Sequence, residues 1–193
     1  MSKSNLIRFS WVFWFISLAL VLSGCATTAT NIKEASELNQ VGKDSSIVFG
    51  RILWLENGKA KKIGKGILAM SLLPLLIKME DKTRIKGEVT EGGNFVWSLK
   101  AGAYRIHRIG YRDPWTGNYY VDLNVAFSVP ENGKVYYVGI LRSEFEKKRF
   151  LGIGLSGEVR FTIQDEGDRD FVEFQDKFNI PSKDIKKSLM IVR

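Results

Sequence analysis

One cysteine and one histidine among 193 residues leave no disulfide within the chain, no Cys/His zinc cluster and no site that needs two imidazoles. Repeats and low-complexity tracts are also absent. What is present is ordinary for a globular protein, with 45% hydrophobic and 26% charged residues, which excludes wholesale disorder. The length suits one domain with a sizeable core. Bases outnumber acids, 29 Lys+Arg against 21 Asp+Glu, for a net charge of +8.

The amino terminus reads as a secretory signal. Lys3 and Arg8 form a positive start, and the apolar run from Phe9 to Leu22 is interrupted only by Ser10 and Ser17. That run is shorter than the ~20 residues that span a bilayer. It ends in Leu22-Ser23-Gly24-Cys25. This tetrad resembles the lipobox of bacterial lipoproteins. In that family the cysteine thiol receives a diacylglyceryl group and cleavage falls between the positions of Gly24 and Cys25. The resemblance implies a signal peptide over 1–24, a lipidated Cys25 and attachment to the cell envelope. Ala26 after the cysteine resembles the sorting pattern of outer-membrane lipoproteins. An ordinary secretory signal and an uncleaved anchor are the competing readings. Residues 25–44 are polar and read as a tether with one helical turn around Ile32–Leu38, which would let the domain stand clear of the membrane.

From Ser46 onward the dominant period is two. Val121, Leu123, Val125 and Phe127 alternate with polar or small residues, the pattern of a half-buried strand. Further strands are expected at 47–55, 75–79, 95–99, 104–109, 135–141 and 159–163, separated by turns rich in Gly, Asn and Pro. The fold class is mainly β: an antiparallel β-sandwich of about seven strands over 45–166. A helical tail over 167–193 packs on it. Asp170 is the expected helix cap, Phe171, Phe174 and Phe178 form its apolar stripe, and Ile185 with Leu189 suggests a second helical turn. Residues 67–79 carry almost no polar side chain. They read as a buried loop or short helix leading into a strand, with a membrane-dipping loop as the alternative.

Gly50-Arg51-Ile52, the turn at Glu56-Asn57-Gly58, and Gly93-Asn94-Phe95-Val96-Trp97-Ser98-Leu99-Lys100-Ala101-Gly102-Ala103-Tyr104 together are similar to carboxypeptidase regulatory-like domains. These domains share the prealbumin-like sandwich, related in form to the Ig-like one. The likeness covers 46–142, and the apolar insertion near 64–73 departs from it. It implies core aromatics at Phe95, Trp97 and Tyr104, and a turn at Gly102 between two paired strands. It transfers no catalytic residue.

Gly152-Ile153-Gly154-Leu155-Ser156-Gly157 matches a dinucleotide-binding string, but a strand rather than a helix is expected after it, so it reads as a Gly-rich hairpin. The segment 58–66 has its second glycine one place late for a phosphate loop. His107 lies on an alternating strand without a relay. Asp165, Glu166, Asp168 and Asp170 lack calcium-loop spacing. No catalytic residue, metal ligand, cofactor or small-molecule substrate is assigned, and the chain is expected not to be an enzyme. Nucleic acid is not an expected partner, and the basic clusters Lys59, Lys61, Lys62, Lys65 and Lys147, Lys148, Arg149 read as solvated strand edges, with an anionic leaflet as the alternative. The expected function is a lipid-anchored envelope protein whose sandwich binds or scaffolds another envelope component. The alternatives are a purely structural lipoprotein and an envelope enzyme of another type. The candidate partner loop is Tyr111, Arg112, Trp115, Tyr119 and Tyr120, where aromatic residues crowd a turn that needs only Pro114, Gly117 and Asn118. The competing expectation is that Trp115 folds back to cap the core.

Overall fold

A computed structural model describes residues 27–29, 31–64, 69–113, 117–146, 148–150, 153–155 and 159–193. The expected signal peptide over 1–24, Cys25 and Trp115 lie outside these residues. Two sheets face each other across one apolar core, a sandwich-like arrangement.

The first sheet holds β1 (Thr27–Ala29), β5 (Arg84–Gly87), β4 (Ser71–Lys78), β7 (Gly102–Asp113), β8 (Gly117–Val129) and β14 (Ile191–Val192), in that spatial order. The second is built on β9 (Val135–Phe145) and β2 (Ser46–Glu56), which pair in parallel. The free side of β9 takes β12 (Val159–Gln164) and β13 (Ile185–Lys187). The free side of β2 takes β6 (Asn94–Leu99) and β3 (Lys59–Ala60). A separate hairpin joins β10 (Lys148–Phe150) to β11 (Ile153–Leu155). Residues 153–155 of the Gly-rich string thus form a hairpin strand, and the next element is the strand β12.

Alternation decides which side chains enter the core. Leu123, Val125, Phe127 and Val129 of β8 point inward and meet Val48, Ile52 and Trp54 of β2 and Tyr136, Val138 and Leu141 of β9. In β9 the pairing with β2 shifts between Phe49 and Arg51. Gly139 takes φ +89° there, a conformation glycine adopts at little cost, and the extra residue keeps both flanks of β9 in register with the core.

Several expectations are corrected. The described residues contain fourteen strand segments rather than about seven, because short edge strands lack a readable period. The sheets are mixed rather than antiparallel, since β1–β5, β2–β9 and β13–β9 run parallel. The turn at Lys100-Ala101-Gly102 does not join paired strands: β6 lies in the second sheet and β7 in the first, so the chain crosses the sandwich there. The segment 67–79 is neither buried loop nor membrane loop where it is described. It supplies β4, with Met70, Leu72 and Leu76 in the core. Pro74 lies beyond the stretch Leu75–Ile77 that pairs with β5, where the strand has one neighbour, a place that suits a residue lacking an N–H.

The boundaries at 44/45 and 166/167 do not separate structural units. The expected tether contributes β1 to the first sheet, buries Ala29, Asn31 and Ile32, and forms the short helix α1 (Ala35–Leu38). The tail holds α2 (Gly167–Phe178) and then returns as β13 and β14. Ile185 is therefore in a strand, and Leu189 lies in the extended link between strands, because Ser188 and Met190 donate backbone N–H groups to Tyr137 and Val138 of β9. Asp170 does not cap α2. The cap is Glu166, and Asp170 sits buried in the first turn.

Candidate functional site

The five residues expected to form a partner loop divide between two faces. On the inward side Tyr111 of β7 stacks on Tyr119 of β8, with ring centroids 5.1 Å apart, and tilts onto Trp54 at 4.8 Å. These rings close the end of the core. On the outward side Arg112 pairs with Asn118, and Tyr120 is 70% exposed. Trp115 lies outside the described residues, so among the described ones Arg112 and Tyr120 form the outward surface of the expected loop, with Tyr119 41% exposed at its end.

A bulge causes the division. Tyr104 and Ile106 face the core from even positions of β7, whereas Ile109 and Tyr111 face it from odd ones. The pairing shifts around His107, between Ile106 and Arg108, and the inserted residue reverses the alternation. Read without the bulge, Tyr111 would face solvent.

Tyr120 belongs to a wider surface. In the first sheet Leu73, Gly110 and Tyr120 lie side by side across β4, β7 and β8. A Cβ on Gly110 would stand 3.2 Å from the Tyr120 ring, so the ring lies over the bare glycine. Leu73 beside it is 61% exposed. The next row holds Lys86, Leu75, Arg108 and Asp122. Arg108 Nε donates to Asp122 Oδ1 at 2.5 Å, while its guanidinium carbon sits 5.8 Å from the Tyr120 centroid. The bonded Arg108 holds the Asp122 carboxyl below the usual carboxylate range. The row after holds Arg84, Ile77, Arg105, Ala126 and Ile191, the last 59% exposed. The signal for this surface is in the sequence. Residues 71–78 are apolar at both parities, so whichever parity enters the core, the other leaves apolar side chains outside.

The opposite outer face, on the second sheet, is covered around Phe49 and Tyr137. Phe49 stacks on Phe174 of α2 with centroids 3.9 Å apart and planes at 11°. Phe171 meets Tyr137 edge-on at 5.2 Å. The Tyr137 hydroxyl donates to Asp170 Oδ2 (2.7 Å) and accepts from the Glu166 N–H (3.2 Å). Burial first, then the Asp170 carboxylate, pushes this phenol well above its ordinary value. Arg51 Nη2 reaches Glu173 Oε2 at 2.9 Å, and Asn94 accepts from Arg51 Nε while donating to Glu173 Oε1. Asp170 Oδ1 is buried without a partner among the described residues. The recess beside it holds about 60 Å³, far below the ~300–1,000 Å³ of small-molecule sites.

No family model, curated protein or solved structure matches this chain. The site therefore rests on its own geometry.

Three acids of the segment 165–170 take separate partners. Asp165 binds Lys187, Glu166 pairs with Arg169, and Asp170 faces Tyr137. Among the described residues no group of three His, Cys, Asp or Glu side chains could hold a metal ion. No helix among them is long and apolar enough to cross a membrane.

Proposed function

We propose that this chain is a lipid-anchored protein of the bacterial cell envelope, acylated on Cys25 and directed to the outer membrane. In this reading its sandwich acts without catalysis, as a surface that holds another envelope component. The observation that carries the reading is the tetrad Leu22-Ser23-Gly24-Cys25 behind a basic start and a short apolar run, with the first described strand beginning at Thr27. The binding surface is the outer face of the first sheet, including Arg112 and Tyr120. Apolar residues left uncovered beside charged ones are the signature of a contact surface. The finer fold assignment, a prealbumin-like sandwich of the carboxypeptidase regulatory-like kind, belongs to the same proposal. Burial of Phe95, Trp97 and Tyr104 supports it.

The test is Cys25→Ser. The expected outcome is loss of fatty-acid labelling and accumulation of the uncleaved precursor. Normal labelling of the variant would overturn the reading.

A further inference from the structure

We infer that the outer face of the first sheet lies flat on an anionic lipid surface. Leu73, Tyr120 and Ile191 would meet the headgroup region, and the basic side chains of the same face would meet lipid phosphates. The inference rests on acylation of Cys25 and names the envelope component that the face holds: the bilayer itself.

Three observations converge. The first is the place where the anchor joins the domain. Only Ala26 separates Cys25 from Thr27, a covalent reach of ~7 Å over two residue steps. Thr27 opens β1, the edge strand of this sheet, paired in parallel with Ile85 of β5. A free linker of the length expected for 25–44 would have let the domain turn any face to the bilayer, whereas the docked β1 brings this sheet to it.

The second observation is charge. Arg84, Lys86, Arg105, Arg108 and Arg112 share the outer parity of β5 and β7, against Asp122 of β8 and the exposed Glu88 just after β5. Near an anionic leaflet each such cation raises partitioning about fivefold. Arginine and lysine stems also lie along apolar surface while their heads reach outward. The third is the apolar part. Leu73, Tyr120 and Ile191 are 61%, 70% and 59% exposed, and tyrosine favours the headgroup level because one end is apolar and the other polar. On the second sheet α2 covers the outer face around Phe49 and Tyr137.

A sheet anchored by its edge strand could instead stand upright on that edge. Six strands put β14 ~24 Å from β1 at ~4.8 Å per strand, so the two poses separate by distance. The mature acylated protein would carry a fluorescent label on Leu73→Cys, Ile191→Cys or Val172→Cys, the last on the exposed side of α2. Each would be reconstituted into phosphatidylethanolamine–phosphatidylglycerol vesicles containing lipids brominated near the headgroup. Mass spectrometry reads the acyl group on Cys25 before fluorescence is measured.

The expected result is several-fold stronger quenching at 73 and 191 than at 172. That contrast should shrink with Arg84→Glu/Arg112→Glu and in phosphatidylcholine vesicles. Quenching at 73 without 191 would overturn the flat pose. Equal, weak quenching at all three with Cys25 acylated would overturn the lipid contact and leave the anchoring reading standing. A cysteine without acyl groups would overturn both.

Discussion

Phe49 on β2 and Leu73 on β4 are both large apolar residues on outer faces of the sandwich, yet one is 4% exposed and the other 61%. The difference is α2. Its phenylalanines continue the aromatic layer begun by Phe49 and Tyr137, and polar ties at Tyr137–Asp170 and Arg51–Glu173 hold the helix in place. Among the described residues the first sheet has no such cover. It carries arginines and Lys86 among its apolar residues, whereas the surface under the helix is built on the rings of Phe49 and Tyr137. A face buried by the chain's own helix needs complementary shape. A face left for something else needs side chains tolerable in water, and long basic ones with apolar stems meet that requirement.

Substitutions separate the two faces most sharply where the cover is thickest. Phe174→Ala should cost ~3–5 kcal/mol in urea unfolding, as a buried aromatic removed from a stack does. A loss near ~0.5 kcal/mol would mean that α2 is not what shields the second sheet. Tyr111→Ala should cost about 2 kcal/mol, because Tyr111 closes the core against Trp54 although its neighbour Arg112 faces out. Tyr137→Phe should cost ~1–3 kcal/mol at neutral pH, since Asp170 would lose its buried donor.

Alkaline titration examines the same cover. Tyr137 and Tyr104 both ionise above the ordinary phenol value of 10, Tyr104 pushed up to about 12 by burial and then by Glu80 and Asp81. A folded value above the unfolded one means that the stabilisation is complete below pH ~10 and is lost as pH rises toward the folded value. Stability should therefore fall between pH ~10 and ~12, with a shallower fall in Tyr104→Phe and in Tyr137→Phe. Equal alkaline slopes in both variants and the parent would contradict the burial of these phenols. The smallest effect belongs to the open face: Leu73→Ser should shift stability by no more than ~0.5 kcal/mol. A larger loss would show Leu73 to be covered in the folded protein.

The central strands were legible because alternation over five or more residues has one physical meaning on a half-buried surface. Val121 to Phe127 in β8 is such a case, and so is the aromatic stripe of α2. The edges were not legible. Thr27–Ala29 and Ile191–Val192 are too short to show a period, and their pairing with β5 and β8 depends on strands far away in the chain. Nor does Lys100-Ala101-Gly102 reveal whether it turns back within a sheet or crosses to the other, since a short glycine turn serves both.

The candidate surface was half legible for a related reason. Tyr111, Arg112, Tyr119 and Tyr120 stood out by composition, but which of them face water depends on the bulge at His107, which leaves no mark in residue type. The sequence by itself determined the predominance of β-structure and the identity of the aromatic core, because these follow from local pattern and side-chain chemistry. Only the tertiary structure decided that the expected tether is an edge strand, that one outer face is covered and the other open, and that the open face adjoins the residue two places after Cys25. Those facts are set by pairings between distant segments, where burial of a whole layer outweighs the weak preference of any single short strand.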